Sequence, residues 1–208
     1  MRILDGTGNN RSAKVTSDNR LRGDVVTEPI SAERSRKGLL FGTGTGSVSV
    51  TDGMSLAPVL WLKNSGTDHD FYIGKLIYGW DGGSTNFNRT ILSFIKYQTS
   101  QPTTNTADAS PAIENISRSG TTAAVTDGDA TALKWDGGGT DAGMTGGSGG
   151  YLQIPNRLAQ GNTSIPIDGE IILGPGDAME IQVTPQEDGL FNAAIIYYKI
   201  LTGEERGD

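Results

Sequence analysis

The chain has 208 residues, a formal net charge of −7 and no cysteine, which excludes a disulfide framework, a cysteine-ligated zinc site and a thiol nucleophile. Its one histidine, His69, excludes multi-histidine metal centres and leaves one candidate for any histidine-dependent triad. Glycine contributes 30 residues, about twice the usual share, and Leu-rich helical runs are missing. Such a composition predicts an all-β chain with many turns. No apolar run approaches the roughly 18–20 residues that span a bilayer. The charged N-terminus lacks the apolar stretch of a secretory signal. An acidic balance, with pI ≈ 4.7, argues against nucleic-acid binding by the body. Neither nucleic acid nor membrane is therefore an expected partner, and no cofactor is expected.

Residues 1–45 read as an extended basic arm. Up to Lys37 the cations are Arg2, Arg11, Lys14, Arg20, Arg22, Arg34, Arg36 and Lys37, against Asp5, Asp18, Asp24, Glu28 and Glu33. The stretch has too few apolar residues for a core. A segment of about forty residues, extended at about 3.3 Å each, reaches on the order of 130 Å, and extended segments can add strands to exposed sheet edges. Within it, AKV-TSDN-RLR (13–22) predicts a small hairpin or a bent extended segment. ISAERSRK (30–37) predicts one or two helical turns, with Ser31 as N-cap and Gly38 as stop.

The body is expected over 46–201, with 202–208 as a tail. SVSVT (47–51) alternates strictly. MSLAPVLWLKN (54–64) is a long apolar run in which Pro58 marks a bulge or an edge. HDFYIGKLIYGW (69–80) and TILSFIKYQ (90–98) carry β-branched and aromatic residues at period two. After the polar loop 99–112 come short strands at 113–118 and 121–126, then ALKW (132–135) and the Gly-rich 136–150. YLQIP, NTSIPIDGEIIL, AMEIQVTP and FNAAIIYYKIL supply about four more. Nine or ten strands without a long helix fit two packed sheets, and the long polar loops favour a jelly-roll-like β-sandwich. In IILGPGDAMEIQVTP (171–185), Pro175 sets φ for a turn, Gly176 suits its φ > 0 position, and Asp177 can bond back to the backbone.

Several motifs invite chemistry. His69, between Asp68 and Asp70, has the neighbours of a general base, but no nucleophile motif such as G-x-S-x-G accompanies it. It reads as a turn histidine before a strand. The pairs Asp68/Asp70 and Asp127/Asp129 and the DGTGNN stretch carry oxygen ligands, yet none completes an EF-hand loop, so no metal site is expected. Asp81, Glu114 and Asp136 are carboxylates without the pairing a glycosidase needs. Trp80 and Trp135 head the related strings GWDGGST and KWDGGGT. They are either a glycan-facing pair or, as favoured here, inward-packing residues at strand ends. GTGTG (42–46) and GGSGG (146–150) lack the ending and context of a phosphate loop. The two RGD tripeptides (22–24 and 206–208) are cheap coincidences in a Gly- and Asp-rich chain. Arg34, Arg36 and Lys37 lack the interleaved aromatics of a nucleic-acid site and suit an acidic protein surface better.

DGTGNNRSAKVTSDNRL (5–21) resembles the start of a group of tailed-phage virion proteins, through Asp5, Gly6, Thr7, Gly8, Ala13, Lys14, Val15, Asn19, Arg20 and Leu21. WLKNSGTDHDFYIGKL (61–76) is similar to their strand–LKN–turn–strand arrangement. The resemblance covers about a third of the chain. It implies a structural and not an enzymatic role: a capsid decoration (cement) protein, commonly a homotrimer, on the outer surface of the phage head with the major capsid protein as partner. The docking residues expected on this reading are Arg11, Lys14, Val15, Arg20, Leu21 and Arg22. The alternative is a head or tail fibre module that holds a host glycan through Gly-rich loops with Trp80 and Trp135.

Overall fold

The structure, a computed structural model, describes residues 3–4, 12–15, 21–22, 34–35, 38–53, 57–82, 91–97, 111–116, 127–135, 151–157 and 161–202. The chain divides into two units, Met1–Ile30 and Ser31–Asp208.

In the first unit, β1 (Ile3–Leu4), β2 (Ser12–Val15) and β3 (Leu21–Arg22) form an antiparallel three-stranded sheet in the order β1-β2-β3. Lys14 pairs with Arg22 and Val15 with Leu21, the hairpin expected around TSDN. This backbone pairing satisfies donors and acceptors that an unpaired chain leaves to solvent.

The second unit is all-β, with two antiparallel sheets. The smaller runs β10 (Ala130–Lys134), β6 (Ala57–Asn64), β14 (Ala178–Thr184), β8 (Ile91–Tyr97) and β11 (Tyr151–Arg157). The larger runs β12 (Gly161–Pro166), β7 (His69–Gly82), β15 (Gly189–Leu201), β4 (Leu40–Gly44) and β9 (Ile113–Asn115). Two short strands complete it: β13 (Ile172–Leu173) on β7 and β5 (Val48–Val50) on β15. The body therefore begins before residue 46. β4 pairs with β15 from Leu40↔Tyr198 to Gly44↔Ala194, so the GTGTG glycines serve a strand and its exit and not a free loop.

Period-two patterning sends one face of each sheet inward. Leu60, Leu62, Phe94 and Ile181 of the smaller sheet join Phe71, Leu76, Trp80, Phe191 and Ile195 of the larger in one buried cluster. Burying a side chain of this size contributes roughly 1.5–3 kcal/mol, so this face holds the layers together. The register between β14 and β6 shifts beside Pro58, from Ile181↔Leu60 to Gln182↔Pro58. Proline cannot donate to the ladder, and a bulge accommodates it. A second shift skips Gly74 where β7 meets β15.

Local turns follow the sequence. Gly38 has φ 74°, and Leu39 N–H and Gly38 N–H donate to the Arg34 and Ser35 carbonyls, a left-handed glycine helix stop. Gly176 has φ 86°, Asp177 N–H donates to Gly174 O, and Asp177 Oδ2 accepts from Gly174 N–H. The segments 121–126 and 136–150 lie outside the described residues.

Candidate functional site

The period-two pattern of β15 carries the most unusual cluster of the molecule. Its inward positions run Phe191, Ala193, Ile195, Tyr197 and then Lys199, all buried. The Lys199 ammonium lies 5.6 Å from the centroids of both the Phe41 and Phe71 rings. A lysine placed among aromatics must be paired, since burial strongly disfavours a lone charge. Its Nζ donates to Asp127 Oδ1 at 2.8 Å and to Asp129 Oδ2 at 2.5 Å.

A turn ahead of β10 delivers both carboxylates. Asp127 Oδ1 also accepts from Asp129 N–H at 3.1 Å, and the Asp127 carbonyl accepts from Ala130 N–H. This is an Asx turn, the local geometry a short carboxylate favours. The second oxygen, Oδ2, accepts the Tyr197 hydroxyl at 2.8 Å. Asp127 is thus held on both oxygens, with its side chain only 3 % exposed.

Asp129 is the solvent-facing member, its side chain 44 % exposed. Its Oδ2 lies 3.9 Å from Nδ1 of His69. Its carbonyl accepts from Ser65 N–H at 2.7 Å, and a Cβ on Gly66 would stand 2.8 Å from the Asp129 Cβ. The turn after β6 therefore fixes it from below. The hydrogen bond from Lys199 holds the Asp129 carboxyl below its usual range, against a smaller opposing effect of burial. Tyr197 is pushed the other way: burial first, then the Asp127 charge, raise its phenol well above its ordinary value.

The Asp127/Asp129 pair, noted in the sequence as a possible oxygen ligand set, is thus taken up by an internal cation. Among the described residues no group of three or more His, Asp and Glu side chains is placed to hold a metal ion. His69 is near Asp129, but no hydroxyl nucleophile converges on it among the contacts described. Asp70 Oδ1 instead accepts from the Thr202 hydroxyl.

A second feature is an open groove of about 420 Å³ on the far face of the larger sheet, floored by Gly42, Gly44, Ala194 and Ile196 and flanked by Glu114 and Ile116. A Cβ on Gly44 would lie 3.0 Å from the Ala193 carbonyl oxygen, so glycine suits this part of the floor. Glu114 is its one charged lining residue among the described residues.

No family model, curated protein or solved structure matches the chain. Its functional reading rests on its own residues.

Of the expected docking residues, Lys14 and Val15 lie on β2 and Leu21 and Arg22 on β3, in register with one another. Arg11 and Arg20 lie outside the described residues, as do Arg36 and Lys37. The charge of the arm is unevenly spread along it. Residues 1–30 hold five cations against four acids, Asp5, Asp18, Asp24 and Glu28. Most of the expected surplus belongs to Arg34, Arg36 and Lys37, which fall in the second unit. The glycan-facing alternative for Trp80 and Trp135 is also corrected. Both are buried, at 2 % and 4 % exposure. They also sit in different clusters: Trp80 is between the sheets, and Trp135 is with Trp61 and Ala178.

The sequence reading singled out Asp127 and Asp129 but missed Lys199. One signal was available: in FNAAIIYYKIL a lysine occupies a position that alternation assigns to the core.

Proposed function

We propose that this chain is a structural protein of a tailed-phage virion, a capsid decoration protein that docks on the major capsid protein through its N-terminal unit and braces the head from outside. The observation that carries this reading is the division of the chain. Residues 1–30 make a unit with its own short antiparallel strands, distinct from an acidic two-sheet body. Such strands suit edge addition to a partner sheet, where main-chain hydrogen bonds supply the affinity. The near balance of charge in residues 1–30 favours this backbone mode over simple ionic attraction.

Two further points support it. The motif residues Asp5–Gly8, Ala13–Val15 and Asn19–Leu21 resemble virion proteins, and Ala13–Val15 and Leu21 lie in the strands of that unit. The strand order β6-β14-β8-β11, with β7 and β12 adjacent in the other sheet, supports a jelly-roll-like assignment. Successive strands β6, β7 and β8 alternate between sheets, as crossover connections require and meanders do not. A homotrimer on the outer surface of the head, with avidity from several arms, completes the proposal. On this reading the chain is not an enzyme.

The test is binding to DNA-free mature capsids that lack the protein. Saturable binding by the full chain, lost on deleting residues 1–30, is expected. A full-length chain that ignores the capsids overturns the reading.

A further inference from the structure

The Lys199 cluster has the parts of a bond-forming site. An amine is in contact with a carboxyl: Nζ is 2.8 Å from Asp127 Oδ1. Both side chains are nearly dry, at 6 % and 3 % exposure. Aromatic rings of Phe41 and Phe71 flank the amine. The Tyr197 hydroxyl is aimed at the other oxygen of the same carboxyl. A second carboxylate, Asp129, touches the amine and opens to solvent.

We propose that Lys199 and Asp127 condense without an enzyme into an intramolecular amide, joining Nζ to the side-chain carbonyl carbon of Asp127 with loss of one water. The inference is independent of the virion reading.

The step balances. An ammonium and a carboxylate become a secondary amide and water. Of the three ammonium protons, one stays on the amide nitrogen and two leave on the departing Asp127 oxygen. In bulk water both groups stay charged and do not react. Attack needs the neutral amine and acid, which proton transfer along the 2.8 Å contact from Nζ to Oδ1 supplies. Asp129 is placed to take a proton from Nζ and return it to the leaving Oδ1. The Tyr197 hydroxyl, already on Oδ2, is placed to stabilise negative charge that develops there during attack. Holding the partners in contact makes the step unimolecular, and well-oriented groups reach effective molarities on the order of 10⁵–10⁸ M. The water leaves past Asp129, the open side of the cluster.

The product ties the last strand of the larger sheet to the turn that leads into β10, an edge strand of the smaller sheet, across 72 residues of sequence. The turn ahead of β10 then cannot leave β15 without breaking a covalent bond. A lone buried ion pair gives no such mechanical link.

The test uses the full chain as purified. Its intact mass is expected to be one water below that of the sequence. After trypsin, peptide 119–134 should be found joined to an uncleaved peptide 158–206, since an acylated Lys199 is no longer a cleavage site. The mapping is essential because Asp127 precedes Gly128, and an Asp-Gly step can lose water by forming a succinimide. That product leaves 119–134 unlinked and Lys199 cleavable. Asp129→Ala is expected to abolish or greatly slow linkage while the β-sheet circular dichroism remains, and Lys199→Arg should remove it. A full mass in the fully matured wild-type chain, or a water loss that maps without the linked peptide, overturns the proposal. Both are read on the wild-type protein, so a variant that fails to fold does not rescue it.

Discussion

Asn64 and Leu173 are 109 residues apart in sequence, yet the Asn64 amide donates to the Leu173 carbonyl at 2.9 Å. The same amide donates to His69 O at 2.8 Å, and its Oδ1 accepts from Gly66 N–H. The backbone of Asn64 is paired as well, to Asp177 O and Gly176 N–H. One fully buried residue thus joins the turn after β6, the start of β7 and the Gly174–Asp177 turn. Asn64→Leu takes this side-chain partner from the Leu173 and His69 carbonyls and the Gly66 N–H, the Leu173 bond being buried. A buried group left unpaired costs about 1–3 kcal/mol, so a clear fall in the urea midpoint is expected. A midpoint within error of wild type would show that water replaces the amide.

Measured against wild-type chain in which Lys199 and Asp127 are still an ion pair, Lys199→Met leaves Asp127 and Asp129 without their cation. Breaking a buried pair from one side typically costs about 3–5 kcal/mol, and a loss of about that size is expected in equilibrium unfolding. Replacing Asp127 as well, by Leu, should recover part of it, because no buried uncompensated carboxylate then remains at that position. A double variant worse than the sum of its singles would contradict this account.

Tyr197 predicts the alkaline behaviour. Its folded pKa is raised above the ordinary 10.0, first by burial. The phenol therefore favours folding fully below pH 10, and that contribution is lost as pH rises beyond it. Unfolding is expected to become easier above about pH 10, with Tyr197 ionising only as the chain opens. Tyr197→Phe should flatten this alkaline slope while lowering stability at neutral pH, where Asp127 Oδ2 loses its donor. Stability against pH, followed by fluorescence, checks both halves.

Gly66→Ala tests the support beneath Asp129. The new Cβ would stand 2.8 Å from the Asp129 Cβ and 3.0 Å from its Cγ, closer than carbon atoms tolerate, so either the turn or Asp129 must shift. Overpacking of this kind costs typically about 1–3 kcal/mol. The expected readout is a lower melting temperature. If condensation of Lys199 with Asp127 depends on Asp129, slower linkage follows too.

Deleting residues 1–30 should leave the body folded. The two sheets draw all their strands from Leu40 to Leu201, and the chain divides at Ile30/Ser31. One cooperative transition with the near-ultraviolet signature of packed tryptophans is expected. A truncated chain that melts broadly would mean that the first unit supports the body.

Much of the fold was legible in local pattern. Alternation in HDFYIGKLIYGW and FNAAIIYYKIL marks β7 and β15, Pro58 marks its bulge, and Gly38 and Gly176 mark positions of positive φ. Each is a short-range effect of sterics or alternation. Other features escaped for an equally physical reason. AMEIQVT reads as a strand with one polar face, yet β14 is buried on both, including Glu180 and Gln182. It is central in its sheet, so its surroundings are set by neighbours remote in sequence. Trp80 and Trp135 look like equivalents in their strings, but the sheets place them in separate clusters.

By itself, the sequence determined the all-β class, most strand positions and the turn residues, because these depend on φ/ψ preference and period-two alternation within a few residues. Only the tertiary structure decided that Lys199, Tyr197, Asp127 and Asp129 share one site, dry at the first three and open to solvent at Asp129. That meeting depends on which strands become neighbours across the two sheets, and local pattern carries no record of such long-range pairing.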